Sequence, residues 1–403
     1  MRAKEERTGV RKTAERAGKG TGKVEETGTV SECDKAYLHW LYQAAGISSR
    51  GFLRSLAPLG TAKEIYGQLC SGKLSERVAP RYAKKMIQMS EFSKGYDVAG
   101  AYETLRERGV SLVTEQEAAF PRRLKEIPDP PWALYYVGKL PQAEKKAVAL
   151  IGARDCSEYG RYMAGQFGQA FAKGGVQVIS GMARGIDGIG QSAALREGGY
   201  SLGILGCGVD ICYPRENQAL YDALLAGGGV CSEYPPGVMP KSVLFPPRNR
   251  IISGFCDAVF VVEARERSGT LITVDMALEQ GKEVYALPGR ATDPLSGGCN
   301  RLIRQGAGLV CTPEQLLEEL YGESAVSAGG TQTKLVFLEG VQGELLEILD
   351  FSPLPAEELQ RRYLEKQGKP IELPLLFQEL LELCACGYAG QVGGSYFMRI
   401  LKT

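Results

Sequence analysis

The stretch Phe245-Pro246-Pro247-Arg248-Asn249-Arg250-Ile251-Ile252 sets two guanidiniums either side of an amide, behind a proline pair and ahead of an apolar pair. Arginine is the side chain suited to planar, bidentate contact with phosphate oxygens or base edges. The prolines stiffen the approach and remove two backbone donors. The stretch is therefore expected to be a rigid mount, with Phe245 offering a face to a base and Arg248 and Arg250 gripping phosphates. On these residues alone, a surface loop carrying two solvated arginines remains the other reading. Basic residues recur in further glycine-containing stretches: Arg154 after Gly152-Ala153, Arg184 before Gly185-Ile186-Asp187, Lys241, Arg265 and Arg267 before Ser268-Gly269-Thr270, and Arg290 after Pro288-Gly289. Small residues let a backbone approach a phosphate closely. Amides at helix N-termini favour anions. Together these stretches point to a phosphate-reading surface, with the neutralising acids expected elsewhere.

Several chemistries lack their residues. There is no Gly-x-x-x-x-Gly-Lys-Ser/Thr, so no P-loop. The first glycine turn reads Gly152-Ala153-Arg154 rather than Gly-x-Gly-x-x-Gly, which disfavours a dinucleotide oxidoreductase. The chain has one histidine, His39, far from the glycine-rich turns, so no Ser/His/Asp set forms there. Its 11 cysteines contain no Cys-x-x-Cys pair, and no metal site is expected. Glu233, Glu263, Asp187, Asp210 and Asp257 fall near strand ends, where carboxylates more often cap helices or pair with arginines than act as acids or bases. No catalytic residue and no cofactor are assigned.

The elements that must hold these turns follow from periodicity. From Ala147 to Cys311, short apolar runs alternate with helical stretches, and each run ends at a glycine or small-residue turn. More than half of the 51 glycines lie in this interval. Strands that are apolar throughout belong to a parallel sheet covered on both faces. The expected fold is α/β, an extended Rossmann-like, doubly wound and mostly parallel sheet, whose ligand lies outside the carboxyl ends of the strands. Residues 109–321 are assigned to it, with strand-like stretches at Val110–Thr114 and Trp132–Val137 ahead of the alternation. Residues 34–108 read as a small helical module of the sterile-alpha-motif or helix-hairpin-helix kind, with a turn at 46–51 and a Ser cap. Residues 1–33 form a charged tail with almost no large apolar residue, expected to be disordered. Residues 322–334 read as a linker. Residues 335–403 read as a winged helix of three helices and a hairpin about Gly393-Gly394. Its third helix, Leu373–Cys384, carries Glu379 and Glu382 and no Lys or Arg, which favours a protein contact over groove reading.

At 403 residues the chain is long enough for several domains. The apolar share of 44% and charged share of 24% are those of a globular protein, and the net charge of +1 means that any nucleic-acid surface is a local patch. There is no signal peptide and no apolar run of membrane-spanning length, so a reducing cytoplasm is expected.

A series of motifs, in order, resembles the DNA-processing protein A family (DprA, also called Smf). They are Phe120-Pro121 with Ile127-Pro128-Asp129-Pro130-Pro131; Val148–Arg154 with Ser157-Glu158-Tyr159-Gly160; Ser180–Asp187; Tyr213-Pro214 with Asn217; Ser232–Gly237; Phe245–Ile252; Ser268–Thr273; and Gly297–Ile303 with Gly306-Ala307. The resemblance covers about 110–320. It implies a bacterial protein that binds single-stranded DNA, protects it and loads the recombinase RecA during natural transformation. It also implies a homodimer through the Rossmann-like domain, with no nucleotide hydrolysis. The family's DNA-contacting positions fall on Gly152, Arg154, Lys241, Phe245, Arg248, Asn249 and Arg250; the strand-end chemistry adds Arg184, Ser268, Gly269 and Thr270. One departure is Gln191, where the family usually has a histidine; helix packing or hydrogen bonding is the simpler role there. The competing reading, a nucleotide-binding or phosphoribohydrolase-like protein of the same superfamily, would use Arg154 and Glu279. Its Gly-Thr-x-x-Glu spacing is not met, because Glu279 lies nine positions after Thr270 and not three.

Overall fold

The computed structural model describes residues 30–46, 50–322, 340–392 and 394–400. Of the tail assigned to 1–33, residues 1–29 lie outside the described residues, while Glu32 and Cys33 already belong to the first helix, capped by Ser31. Residues 47–49 of the expected capped turn, the linker at 323–334 and Gly393 also lie outside the described residues. Six strands set the frame: β1 Ser111–Thr114, β2 Ala133–Gly138, β3 Ala147–Ile151, β4 Gln177–Ser180, β5 Ser201–Ile204 and β6 Gly229–Ser232. Three more complete it: β7 Ala258–Val261, β8 Glu283–Ala286 and β9 Gly308–Leu309. They form one sheet in the order β1-β2-β6-β5-β4-β3-β7-β8-β9. From β6 to β9 every pairing is parallel, while β1 and β2 add an antiparallel edge. This is the mostly parallel, doubly wound α/β fold.

Why these runs become central strands is visible in their burial. β3 through β7 are buried at every residue, as sheets covered on both faces require. Alternate residues enter opposite cores. In β3, Val148 and Leu150 join Phe167, Phe171 and Phe260 on one face, while Ala147, Ala149 and Ile151 join Ile251, Ile252 and Val274 on the other. Helices Glu158–Lys173, Ile186–Arg196 and Pro313–Tyr321 contribute to the first core. Phe245–Gly254, Gly269–Glu279 and Gly297–Arg304 contribute to the second. Buried polar groups find partners within the sheet: Ser180 Oγ donates to Leu150 O at 2.6 Å and Ser201 Oγ to Val178 O at 2.8 Å.

The chain winds outward from β3 through β4 and β5 to β6, then returns to β7 beside β3 and winds the other way. The topological switch point therefore lies between the carboxyl ends of β3 and β7, where doubly wound sheets open a crevice.

Ahead of the sheet, helices including Glu32–Ala45, Ala62–Cys70, Ala83–Ser93 and Val98–Glu107 enclose Trp40, Phe52, Leu56, Ile65 and Met89. Thr61 and Glu64 form a capping box, which satisfies two otherwise orphaned amides. This layer packs against β1 and β2 of the sheet. Tyr96 Oη donates to Gln43 Oε1 at 2.5 Å, Gln43 Nε2 donates to His39 Nε2 at 3.2 Å, and His39 Nδ1–H donates to Tyr135 Oη at 2.9 Å. At the other end, helices Val341–Leu346, Ala356–Gln367 and Leu373–Ala385 pack beneath a small antiparallel sheet. Its strands are β10 Leu354–Pro355, β11 Ala389–Gln391 and β12 Tyr396–Arg399, ordered β10-β12-β11. The expected hairpin thus has a third strand against it. No helix among the described residues is long and apolar enough to cross a membrane.

Candidate nucleic-acid interface

Phe245-Pro246-Pro247 is not a stiff loop. It is the first turn of the helix Phe245–Gly254. Proline is well placed there, because its missing amide hydrogen has no intrahelical partner to lose and its φ already suits the helix. The helix then commits Arg248, Ile251 and Ile252 to the sheet side, and all three are buried.

A cleft of about 550 Å³ opens at the switch point. The turn after β3 supplies Gly152, Arg154 and Asp155, and the turn after β7 supplies Arg265, Arg267, Ser268, Gly269 and Thr270. The helix Phe245–Gly254 adds Phe245, Arg248 and Asn249. Gly152 is small of necessity, since a Cβ there would sit 2.7 Å from Ile186 Cγ1 and 3.0 Å from Glu263 O. Gly185 has φ 72°, and a Cβ would collide with the carbonyl oxygens of Ala153 and Arg154. Both turns are therefore held tightly against each other behind the cleft. Ser268 caps its own helix, accepting from Thr270 N at 3.1 Å, and Thr270 Oγ1 donates to Gly152 O at 3.1 Å. The Thr270 hydroxyl thus fastens the turn after β7 to the turn after β3 across the switch point, and both residues line the cleft.

The basic residues divide sharply. Arg154, Arg265 and Arg267 line the cleft with their side chains exposed. Arg184 and Lys241 are exposed beside lining residues, next to Ala183 and between Pro240 and Ser242. Arg248 lines the floor but is only 6% exposed. Its Nη1 donates to Gly181 O at 3.0 Å and also to Ile204 O, and its Nε donates to Asn249 Oδ1 at 3.2 Å. Burial pulls its pKa down to about 10, against the favourable charge of Asp187. Arg248 thus ties the carboxyl ends of β4 and β5 to the helix, in place of the solvent-facing clamp expected of it.

Arg250 is 5% exposed and does not line the cleft. Its Nε donates to Asp129 O at 2.9 Å, its Nη1 to Pro247 O at 3.0 Å and its Nη2 to Glu233 Oε1 at 2.8 Å. The Asp129 carboxylate in turn meets Arg50 and Arg54 of the amino-terminal helices. Arg250 braces the layers and lies outside the cleft, in place of the exposed phosphate clamp expected of it. Arg290 also faces elsewhere, pairing with Asp350 at 3.0 Å and donating to Ser352 Oγ at 2.9 Å.

Two further expectations change. The acids are not all elsewhere, because Asp155 and Asp187 line the cleft. Asp187 is buried, accepts from Gly181 N at 3.1 Å, and burial raises its pKa against the pull of Arg248. The remaining strand-end carboxylates hold structure. Glu263 accepts from Ser157 N at 2.9 Å and from the Ser157 hydroxyl, Asp210 from Gly237 N at 2.9 Å, and Asp257 from Ala147 N at 2.8 Å. Gln191 is fully buried; it accepts from Met182 N at 3.1 Å and donates to Leu202 O at 3.0 Å and Ser201 Oγ at 3.1 Å. It braces Met182, a non-glycine residue at φ 54°.

The sequence reading missed the aromatic partner of Phe245. Tyr213 stacks on it with ring centroids 5.5 Å apart and planes 28° from parallel, and Arg248 lies over the Phe245 ring at 5.7 Å. Tyr213 is 44% exposed, an unusual place for a tyrosine ring. Tyr213-Pro214 was a visible motif, but nothing local tied the ring to Phe245, 32 residues on. Among the described residues, no group of three or more His, Cys, Asp or Glu could hold a metal ion.

A family model described as "DNA recombination-mediator protein A" matches residues 111–321, a stretch that holds every residue lining the cleft. Protein Smf of Escherichia coli (strain K12) is 38% identical to this chain over 296 residues, 71% of this chain and 76% of that protein. DNA processing protein DprA of Streptococcus pneumoniae is 42% identical over 200 residues, 50% of this chain and 71% of that protein. The X-ray structure of DNA processing protein A from Streptococcus pneumoniae superposes with a TM-score of 0.59 at 31% identity, covering 72% of this chain and 99% of that one.

Proposed function

The chain belongs to the DNA recombination-mediator protein A family, and on that premise we propose that the switch-point cleft binds single-stranded DNA. One observation carries the reading: exposed Arg154, Arg265 and Arg267 share a cleft with the stacked rings of Phe245 and Tyr213. Cations along a groove follow the phosphates, and aromatic faces take bases whatever their identity, each stack contributing about 1–3 kcal/mol. A duplex hides its base faces and cannot use the rings. Lys241 and Arg184 extend the positive rim, while Gly152, Ser268, Gly269 and Thr270 let the strand approach the backbone. Asn249 presents an amide at the floor.

The protein acts as a mediator and not as an enzyme. The phosphoribohydrolase reading needs Arg154 and Glu279 at one site. Glu279 lies at the far end of the helix Gly269–Glu279, about 13 Å along its axis from Thr270. The mediator protects incoming DNA and hands it to RecA in the cytoplasm, and works as a homodimer through the α/β domain. Leu278, 59% exposed at the far end of the helix Gly269–Glu279 from the cleft, is the apolar surface residue that favours such pairing. Residues 34–108, 109–321 and 335–403 are its three domains, and the last contacts protein rather than a DNA groove.

Fluorescence anisotropy with labelled oligonucleotides, without nucleotide or metal, tests the cleft. Single strands bind more tightly than duplex of equal length, and log K falls with log salt by about 0.7 per phosphate contacted. Equal affinity for duplex would sink the reading. Faster RecA assembly on protein-coated single strands checks the mediator role, and sedimentation of the Leu278→Arg variant checks the dimer.

A further inference from the structure

Glu233 has one carboxylate oxygen too many for its surroundings. Its Oε1 accepts from Arg250 Nη2 at 2.8 Å, while its Oε2 is buried with no hydrogen-bond partner. The residue is 8% exposed. Buried acceptors are nearly always satisfied, and an ionised one costs most when it is not. Glu233 also lines a second cavity of about 460 Å³, between the amino-terminal helical layer and the α/β layer. Its walls are apolar and aromatic: Tyr42, Leu53, Phe92, Tyr234, Val243 and Pro247. Arg50 lines it too, but its guanidinium is engaged with Asp129. The volume falls within the roughly 300–1,000 Å³ of small-ligand pockets. Aromatic walls and a lining carboxylate with one unsatisfied oxygen suit a planar ring that carries an exocyclic amino group.

The position of the cavity says what would deliver such a ring. Ser242 and Pro246 line the first cleft, and their chain neighbours Val243 and Pro247 line the second cavity. The segment 242–247 thus forms a ridge between the two spaces. A strand leaving the first cleft has to cross only this ridge.

We propose that the second cavity receives a nucleobase bearing an exocyclic amino group, from the same single strand that occupies the switch-point cleft, with Glu233 Oε2 accepting from the amino group. The proposal rests on the single-strand reading of the first cleft. Cytosine, adenine and guanine carry such an amino group; at the position of the cytosine amino group thymine and uracil present the O4 carbonyl, which the carboxylate repels, and their ring N3–H lies one atom away from it. Sites built to hydrogen-bond a donor discriminate strongly against its absence. The protein therefore tolerates any sequence in the first cleft and selects at one position beside it.

The full-length protein is titrated with oligomers of 2′-deoxycytidine and of 2′-deoxyuridine of equal length, which differ at that position by an amino group against a carbonyl. Wild type binds the cytidine oligomer about tenfold more tightly, as expected for a hydrogen bond to a charged group. Glu233→Gln keeps an oxygen for Arg250 and offers an N–H in place of Oε2, so the preference shifts toward deoxyuridine. Because that change touches a buried pair, Val243→Trp supplies a second route. Val243 is 55% exposed, and the larger ring closes the cavity and abolishes the preference while single strands still bind. Equal affinity of wild type for both oligomers overturns the proposal and leaves the first cleft standing. Failure to bind either oligomer overturns both readings. A preference for free deoxycytidine over deoxyuridine, without any preference between the oligomers, overturns delivery by the strand.

Discussion

Arg154 and Arg250 carry the same group near the same edge of one sheet, yet their surroundings reverse their roles. Around Arg154 the turns after β3 and β7 leave cations exposed in a cleft, and the rings of Phe245 and Tyr213 stand beside them. Around Arg250, acids from two other segments close in, and the helical layer seals the seam with Arg50 and Arg54. A charge kept in water can exchange its hydration for a phosphate at little cost. A charge taken out of water is held by its partners and is unavailable to a ligand. The helix Phe245–Gly254 borders both regions, so the geometry of the cleft depends on a seam that lies outside it.

Substitutions that strike one region and spare the other test this division, and the largest effect belongs to the seam. Arg250→Ala leaves Glu233 and Asp129 buried without their cation and destabilises the fold by about 3–5 kcal/mol, read as a fall in urea midpoint. DNA affinity then falls only as the fold does. A variant that melted like wild type but lost binding would move Arg250 to the cleft.

The next effect is a pH dependence of the same seam. Burial holds the His39 pKa down at about 4, from an ordinary 6.5. Protonation would also set an N–H of the ring against the Gln43 amide that now donates to it. Since the folded value is depressed, the contribution is full above pH 6.5 and is lost as pH falls through 6.5 toward 4. It amounts to about 2 kcal/mol lost by pH 5. Urea midpoints at pH 7.5 and 5 show this loss in wild type and much less of it in His39→Gln. The buried carboxyls of Asp187 and Glu263, raised by burial, act in the opposite sense. They gain stability as pH falls, so the histidine variant isolates its share.

In the cleft the expected pattern is reversed. Arg154→Ala and Arg267→Ala leave the melting temperature unchanged but weaken single-strand binding, and each lowers the salt slope by about 0.7. Arg248→Ala should show both signatures, because its guanidinium lines the floor and also serves the carbonyls of Gly181 and Ile204. The smallest effect belongs to Asp350→Ala. It frees Arg290, whose pair is largely exposed, and shifts stability by less than about 1 kcal/mol. Single-strand affinity stays unchanged.

Much of this layout was legible before any coordinates. Runs such as Ala147–Ile151 and Ala258–Val261 are apolar at every position, and no arrangement other than a two-sided core suits them. Their alternation with helices placed the crevice at strand ends, and the glycine turns named Arg154 and the Ser268-Gly269-Thr270 stretch as residues beside it. The proline pair was also legible in principle, since proline at the first helical position is a start signal. Its reading as a rigid mount for two exposed arginines missed the helix that turns Arg248 inward. Arg250 was not legible, because its acids, Glu233 and Asp129, come from 17 and 121 residues away.

Sequence alone therefore determined what is local: the layered α/β fold, the edge at which a ligand lies, and the chemistry offered there. Period and composition are set by each segment's own contacts with water and core. Only the tertiary structure decided which arginines keep their hydration and which lose it to a carboxylate. It also decided that Tyr213 stacks on Phe245 and that Glu233 faces a cavity with an oxygen unused. Desolvation and pairing depend on segments far apart in the chain brought within a few ångströms, and no local pattern of residues records that distance.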